Sequence, residues 1–341
     1  MTTSGNAWYD HKYHNQTNLK IVFAIIPRLP KFLHPPIAAV TALIFFFLLK
    51  KERRAVKNNL RQICGNNSWL RWKAFKVFYS FCDFIVSYCY VPSANHADLK
   101  SMVSGTNDAQ QQIMDCLKEN RGLIIWTAHM GNWEFASRLL ETQGRKIYVA
   151  RFVESSNPAE MALRRLMENQ AIQSIDLDHP YASIQLLHAL RGNNIVALQG
   201  DRVSQNSGIK VPFFSKEARF PIGPFVLAYV SGAPILPVVV IRRKWLTYRV
   251  VTGEPIWLKN NVDREPELYR GLTCAVKFLE LVLRKYHDQW LNFYDFWTPY
   301  VFRNQTQENN KMNSGSGMGN HEKGSDQAHA DSDQRHGSHA V

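Results

Sequence analysis

The chain has little of what staples a small secreted or metal-held fold. Its five cysteines (Cys64, Cys82, Cys89, Cys116 and Cys274) are odd in number and form no C-x-x-C. That argues against a disulfide framework or a zinc site and for a reducing compartment. The sequence has no zinc-finger, helix-turn-helix or RNA-binding signature, so nucleic acid is the weakest candidate partner. It has no early apolar stretch with a small-residue cleavage pattern, which argues against a removed signal peptide. It has no unbroken apolar run of about 20 residues, the length a comfortable membrane span needs. No internal repeat is evident. Acidic residues are also short, with 28 Asp and Glu against 41 Lys and Arg, for a formal net charge of +13. Such an imbalance points to an anionic partner: a membrane surface, a phosphorylated substrate or an acidic protein.

What is present falls into four stretches. Residues 1–30 begin as a polar, flexible segment. Residues 31–62 hold an apolar run, Ile37 to Leu49, followed by six basic residues: Lys50, Lys51, Arg53, Arg54, Lys57 and Arg61. Thirteen uncharged residues are short for a span, and Pro30, Pro35 and Pro36 interrupt any extension toward the N-terminus. An interfacial or dipping helix, or a short span stretched by snorkelling lysines, fits better than a full transmembrane helix. A buried core helix would show the same run. The polybasic segment favours the membrane reading, since each charge is worth about 1 kcal/mol against an anionic leaflet. It also marks the cytoplasmic side. Residues 63–304 read as an α/β domain. An aromatic-rich helix is expected over 69–90 and an amphipathic one over 108–120. Strand-like runs at 146–150, 194–198, 235–241 and 246–251 alternate with helix-like stretches at 159–171, 181–190, 224–230 and 265–286. The pattern predicts a mixed sheet flanked by helices. From residue 305 the chain is Asn, Gly, Ser, Gln and His with almost no apolar content, and a disordered tail is expected. Its histidines read as solvated rather than metal-binding.

The stretch Thr127-Ala128-His129-Met130-Gly131-Asn132-Trp133-Glu134 carries the chemistry. It follows an apolar strand-like run (Leu123 to Trp126) and precedes a helix-like pattern, so a His and a carboxylate sit where a strand hands over to a helix. Unpaired N–H groups there suit developing negative charge. On one continuous helix His129 and Glu134 would lie about 140° apart in projection. If His129 lies in the turn and the helix begins near Gly131, the two can converge, and Gly131 permits such a turn. A carboxylate beside a His fixes its tautomer and stabilises the imidazolium formed when it takes a proton. Without further signals, an N-cap-like His and a first-turn Glu are the readier account of the pair.

Further signals follow in order: Arg151 at a strand end with Asn157-Pro158 and Arg164-Arg165 after it, then Gln199-Gly200-Asp201-Arg202, Gly208 to Phe214, and Ser231 to Pro237. This series resembles the bacterial lipid A late acyltransferases, lauroyl- and myristoyl-transferase-like members of the lysophospholipid (glycerophosphate) acyltransferase superfamily. AHMGNWE looks like their H-x-x-x-x-D/E signature. ARFVESSNP looks like an Arg-containing second block, and LQGDRVSQNSGIKVPFF like a strand-end Asp followed by G-x-x-V-P-F-F. GAPILPV looks like the last block, and HDQWLNFYDFW like a terminal glutamine-tryptophan segment. Arg202 stands where many relatives carry Gln, and Phe152 where Pro is usual, so the acceptor is the least fixed part of the resemblance.

The resemblance implies a glycerophosphate-acyltransferase-like fold and transfer of an acyl chain from an acyl carrier protein or coenzyme A thioester to a hydroxyl of a lipid A-type glycolipid. The implied place is the cytoplasmic face of a bacterial inner membrane, and the implied mechanism needs neither metal nor cofactor. His129 would be the general base and Glu134 its partner. Asn132 and backbone N–H groups would meet the oxyanion. Arg151 and Arg165 suit phosphate or the donor's phosphopantetheine arm. Asp201 would position the acceptor or assist His129, with Arg202 beside it, and Pro212 and Phe214 would line an acyl groove. Each has a plainer role as an ion pair, turn cap or core residue. The same chemistry on a lysophospholipid, an ornithine-type lipid or a polyene lipid stays open, as does a catalytically idle membrane scaffold.

Overall fold

Strand β2 (Leu123–Thr127) is buried at every position, because it must satisfy two cores at once. Ile124 and Trp126 face one apolar cluster, while Leu123 and Ile125 face another. A continuous apolar run without alternation is what a parallel strand covered on both faces needs. The computed structural model of the chain describes residues 25–90, 96–132, 144–151, 171–203 and 208–298.

Around β2 lie β1 (Val103–Ser104), β3 (Ile147–Arg151), β4 (Ile172–Asp176), β5 (Ile195–Gln199), β8 (Ile235–Lys244) and β9 (Thr247–Thr252). They form a seven-stranded sheet in the order β1-β9-β8-β2-β5-β3-β4. Only the β8–β9 pair is antiparallel. A separate hairpin, β6 (Ile209–Phe213) and β7 (Lys216–Phe220), stands apart from the sheet.

Helices cover both faces by the same spacing logic. α5 (Thr106–Leu117) buries Ala109, Ile113, Cys116 and Leu117. These are three and four residues apart, on one stripe, and they enter the cluster with Leu123 and Ile125. On the other face, α6 (Ala182–Arg191), α7 (Gly223–Ser231) and α8 (Arg264–Tyr286) pack on Ile124 and Trp126. α7 opens with Pro224 in its first turn and stops at Gly232, whose φ of +73° forms the left-handed cap.

A third layer precedes the sheet. α1 (His34–Leu48), α2 (Lys50–Cys64) and α3 (Leu70–Tyr90) share a core built from Ala38, Ala42, Phe46, Val56, Leu60, Ala74, Val77 and Phe78. A short helix α4 (His96–Met102) leads from there to β1.

The mixed sheet flanked by helices is present as expected. Three features differ from the sequence reading. α1 starts at His34, because Pro35 and Pro36 occupy its first turn, where a missing N–H costs nothing. β4 follows the stretch 159–171 read as helical, at residues where no strand is expected from sequence, and residues 152–170 lie outside the described ones. The β6–β7 hairpin hides behind Pro212, which is tolerated because it sits on an exposed position of an edge strand. The expected N-terminal segment up to residue 24 and the tail also lie outside the described residues.

Candidate active site

The site follows from strand register. β2 and β5 are parallel neighbours, with Thr127 opposite Gln199. The Gly200 N–H donates to the Thr127 carbonyl at 2.8 Å. His129 and Asp201 each follow their strand by two residues, so both emerge at one level of the same sheet edge. Ligands gather at this carboxyl end of parallel strands. Two glycines make the approach possible. A Cβ on Gly200 would lie 1.7 Å from Trp126 Nε1, and one on Gly131 would lie 1.6 Å from the Val240 carbonyl oxygen. Gly131 also has φ +59°, which favours glycine in the turn after His129.

His129 Nδ1 and Asp201 Oδ1 are 2.7 Å apart. The His129 backbone N–H donates to the other carboxylate oxygen at 3.0 Å. Asp201 is fully buried, whereas the His129 side chain keeps 15% of its surface exposed. Burial works against the Asp201 charge, but the His129 imidazole, Arg202 and the Trp290 N–H outweigh it and hold the carboxyl at about 2. Burial, aided by the Arg202 guanidinium, pushes the His129 imidazole below its ordinary value. The pair is therefore a carboxylate beside a neutral imidazole. An ionised Asp201 accepts from Nδ1–H, which puts the imidazole lone pair on Nε2.

The rest of the Asp201 shell comes from the end of the described chain. Trp290 Nε1–H donates to Asp201 Oδ2 at 2.8 Å, and Asn292 Nδ2 approaches the same oxygen at 3.4 Å. This segment, residues 287–298, crosses the site as a strap. The Leu291 N–H donates to the His129 carbonyl at 2.8 Å, and the Gly131 N–H to the Gln289 carbonyl at 3.2 Å. Gln289 grips the backbone of Arg242, accepting from its N–H at 2.6 Å and donating to its carbonyl at 2.9 Å. Arg202 donates to the Asn292 side chain at 3.0 Å and to the Leu291 carbonyl at 2.9 Å. Asn59 of α2 donates to the carbonyls of Asn292 and Tyr294 and accepts from the Phe296 N–H.

The remaining sequence candidates fall into place around this centre. Arg151 ends β3, opposite Asp176 of β4 and one strand beyond β5, on the same sheet edge. Asn132 is fully buried and its amide interacts with Tyr248. Arg202 ties the strap down. Pro212 is exposed on β6, and Phe214 is buried at the hairpin tip with φ +49°. Between them Phe213 is fully buried, with Trp290 at 6.0 Å edge-on and Trp297 stacked at 5.3 Å. The hairpin thus backs the tryptophan that holds Asp201. Glu134 and Arg165 lie outside the described residues. Among the described residues, no three His, Cys, Asp or Glu side chains converge to hold a metal ion.

Sequence reasoning attached no role to Trp290, Asn292, Gln289 or Asn59. The only signal for the first three was the HDQWLNFYDFW block, quoted for its resemblance alone, and Asn59 had none.

The sequence model of the bacterial lipid A biosynthesis acyltransferase family matches residues 13–265. Among curated proteins, the chain is similar to phosphatidylinositol mannoside acyltransferases. One from Mycobacterium tuberculosis is 28% identical over 153 residues, covering 43% of this chain and 47% of the relative. One from Mycolicibacterium smegmatis is 29% identical over 153 residues, covering 41% and 49%. The chain spans about half the length of these curated relatives.

Proposed function

This chain belongs to the bacterial lipid A biosynthesis acyltransferase family, and from that membership we propose that it is a membrane-associated O-acyltransferase acting on a glycolipid hydroxyl. The observation that carries the reading is the buried His129–Asp201 pair, 2.7 Å apart at the ends of adjacent parallel strands. Such a pair is a general base with its orienting carboxylate, worth about 10²–10⁴-fold in rate.

In the proposed reaction, His129 Nε2 takes the proton of the acceptor hydroxyl as its oxygen attacks the thioester carbonyl. The tetrahedral oxyanion then collapses, the C–S bond breaks, and the departing sulfur takes the proton from the imidazolium. The acceptor oxygen is the nucleophile, so no acyl-enzyme forms. Asp201 holds the imidazole tautomer and stabilises its cation. Asn132, buried at the end of the turn, and the backbone N–H groups of the helix start expected after it would meet the oxyanion. Glu134 is proposed as a second acidic group near His129, from the sequence signature. Arg151 and Arg165 would bind phosphate of the acceptor or of the donor arm, and Pro212 and Phe214 would border the acyl chain.

Lipid A-type saccharolipids are the proposed acceptor class, with an acyl carrier protein or coenzyme A thioester as donor. The mannoside relatives fit a sugar-bearing lipid in general. The fold is read as glycerophosphate-acyltransferase-like over 63–304, with 31–62 as its membrane element on the cytoplasmic face of the inner membrane. Mass spectrometry of total lipids, with and without the gene and with His129→Ala, tests this. A lipid should lose one acyl mass in the deletion, and the variant should not restore it. Full restoration by His129→Ala would refute the mechanism.

A further inference from the structure

By length and composition, residues 31–48 could cross a membrane. Their packing opposes it. Ala38, Ala42 and Phe46 form one stripe of α1, each at most 3% exposed, and share a core with Ala74, Val77, Phe78 and Cys82 of α3. Phe46 meets the rings of Phe75 and Phe78 edge-on at 5.9 and 5.5 Å. Just before α1, Ile26 packs with Val86 and Cys89 near the other end of α3, and its carbonyl meets His34 Nε2 at 3.1 Å. α1 therefore lies against α3 along most of its length. α3 is in turn fastened to the body. Its Asp83 accepts from the Tyr248 hydroxyl of β9 at 3.1 Å, its Ser80 accepts from Arg242 of β8 at 3.0 Å, and its Phe78 and Phe81 pack on Phe293 of the strap. Drawing α1 across a bilayer would pull the charged flank of α3 and the sheet edge into hydrocarbon, at several kcal/mol for each polar group left unsatisfied.

Among the described residues, nothing covers the outer stripe of α1 in this way. Val40, Leu43, Ile44, Phe47 and Leu48 are about half exposed. Beneath the surface an aromatic chain links this stripe to a second exposed group: Phe47 meets Phe46, Phe46 meets Phe75, and Phe75 stacks on Trp72 at 5.3 Å. Trp72 is 51% exposed, and Trp69 beside it 68%. Large apolar side chains gathered on one surface mark an interaction site. Lys50, Lys51 and Arg54, all exposed at the start of α2, adjoin it, and Lys76 sits over the Trp72 ring at 5.9 Å. Arg53 is otherwise engaged, donating to the Phe46 carbonyl at 2.6 Å. Exposed aliphatic residues rimmed by Trp and Lys match the layered chemistry of an anionic bilayer surface.

We infer that α1 docks flat on an anionic lipid bilayer. Its outer stripe enters the acyl boundary, Trp69 and Trp72 make a second contact at headgroup level, and both ends of the helix stay on one side. The inference rests on the membrane association proposed above and not on the acyl-transfer chemistry.

The test uses the full chain on preformed vesicles of phosphatidylcholine, alone or with about a quarter phosphatidylglycerol, a mixture that supplies surface charge. Strong binding is expected only with the anionic lipid. Leu43→Glu with Phe47→Glu should lower partitioning at least about tenfold, since burying charge in the acyl boundary is costly. Lys50→Gln, Lys51→Gln and Arg54→Gln should each lower it about fivefold on anionic vesicles. These side chains are exposed, so unchanged near-UV circular dichroism is expected. Sidedness comes from Lys31→Cys and Lys50→Cys, each in a Cys64→Ser/Cys274→Ser background, labelled with an impermeant maleimide added outside. Flat docking labels both positions. Labelling of one position alone, with the other reached only after detergent, would mean a span and overturn the inference. Undiminished vesicle binding by the Leu43/Phe47 variant would also overturn it, as would self-association through this face with no lipid binding. Each of these three results leaves the lipid mass-spectrometry test of acyl transfer to stand or fall alone.

Discussion

Asp201 and Asp83 are almost equally removed from solvent, at 0% and 2% exposure, yet their protons are held in opposite ways. Asp201 is held at about 2. Asp83 is pushed up to about 6 by burial, against the pull of Arg242 and the Tyr248 hydroxyl. The difference lies in the donors. Asp201 meets the His129 backbone N–H, the His129 ring and the Trp290 indole at 3.0 Å or less. Asp83 accepts from Tyr248 through one oxygen, which Arg242 Nε also faces at 3.4 Å, while its Oδ1 has no hydrogen-bond partner among the described residues. Burial alone therefore does not make a carboxylate catalytic or structural. A convergent ring of N–H groups keeps one ionised, and its absence lets the other take up a proton.

The largest way to break this contrast is at Asp201. Asp201→Asn should cut acyl transfer by on the order of 10⁴-fold while the chain stays folded, because the amide no longer selects the Nδ1–H tautomer. Steady-state kinetics with a lipid acceptor would show it, and a loss below tenfold would remove Asp201 from the mechanism. His129→Ala should be as severe.

A smaller break takes away one donor. Trp290→Phe keeps a ring against Phe213 and Phe296 but removes the N–H to Asp201. A carboxylate with one fewer donor binds the imidazole more strongly, so the His129 pKa should rise. Because the base works unprotonated, the acid limb of kcat/KM should move to higher pH, starting from a wild-type midpoint below the ordinary histidine value. The rate at neutral pH should fall on the order of tenfold, the loss expected for one charge-assisted hydrogen bond. A purely packing role would lower stability without moving the limb, which an NMR titration of the His129 ring distinguishes.

On the other side, Asp83 sharpens the comparison through stability. Its folded pKa of about 6 exceeds the ordinary aspartate value of about 3.9. Between those values the folded chain binds more protons than the unfolded one, so stability falls as pH rises through the window. The contribution is on the order of 3 kcal/mol. Asp83→Asn should flatten that slope in urea melts from pH 4 to 6.5 and change activity less than tenfold, since Asp83 pairs with Tyr248 and Arg242 rather than with His129 or Asp201. For Asp201 the sign is reversed: its contribution is present above the unfolded carboxyl value and is lost as pH falls toward 2.

The smallest effect expected is at the hairpin. Phe214 and Ser215 have φ of +49° and +64°, a two-residue turn that normally takes Asn-Gly. Ser215 is exposed, so Ser215→Gly should raise stability by about 1 kcal/mol, read as a higher urea midpoint, with activity unchanged.

Much of the site could be read from short spans of sequence, because strand ends are local. The apolar run before His129, the similar run before Asp201 and the turn at Gly131 need no knowledge of tertiary contacts. The Asp201 donors were not legible in this way. Trp290 reaches Asp201 across 89 positions, and Asn59 meets the strap across more than 230. Neither pairing leaves a periodic trace. The hairpin was missed because Pro212 reads as a strand breaker, although an exposed edge position tolerates it. The start of α1 was misplaced for a related reason: a proline that ends a helix interior can also open one.

The strap also sets an order of assembly during synthesis. Asp201 is made 89 residues before Trp290, which at about 5–20 residues per second is a delay of about 4–18 s. Throughout that interval His129 and Asp201 are both already made, but the indole donor to that carboxylate has not yet been translated. α1 and α2, by contrast, are complete early. A ribosome carrying this chain thus exposes the helix with the half-exposed apolar stripe well before its buried carboxylate is fully dressed.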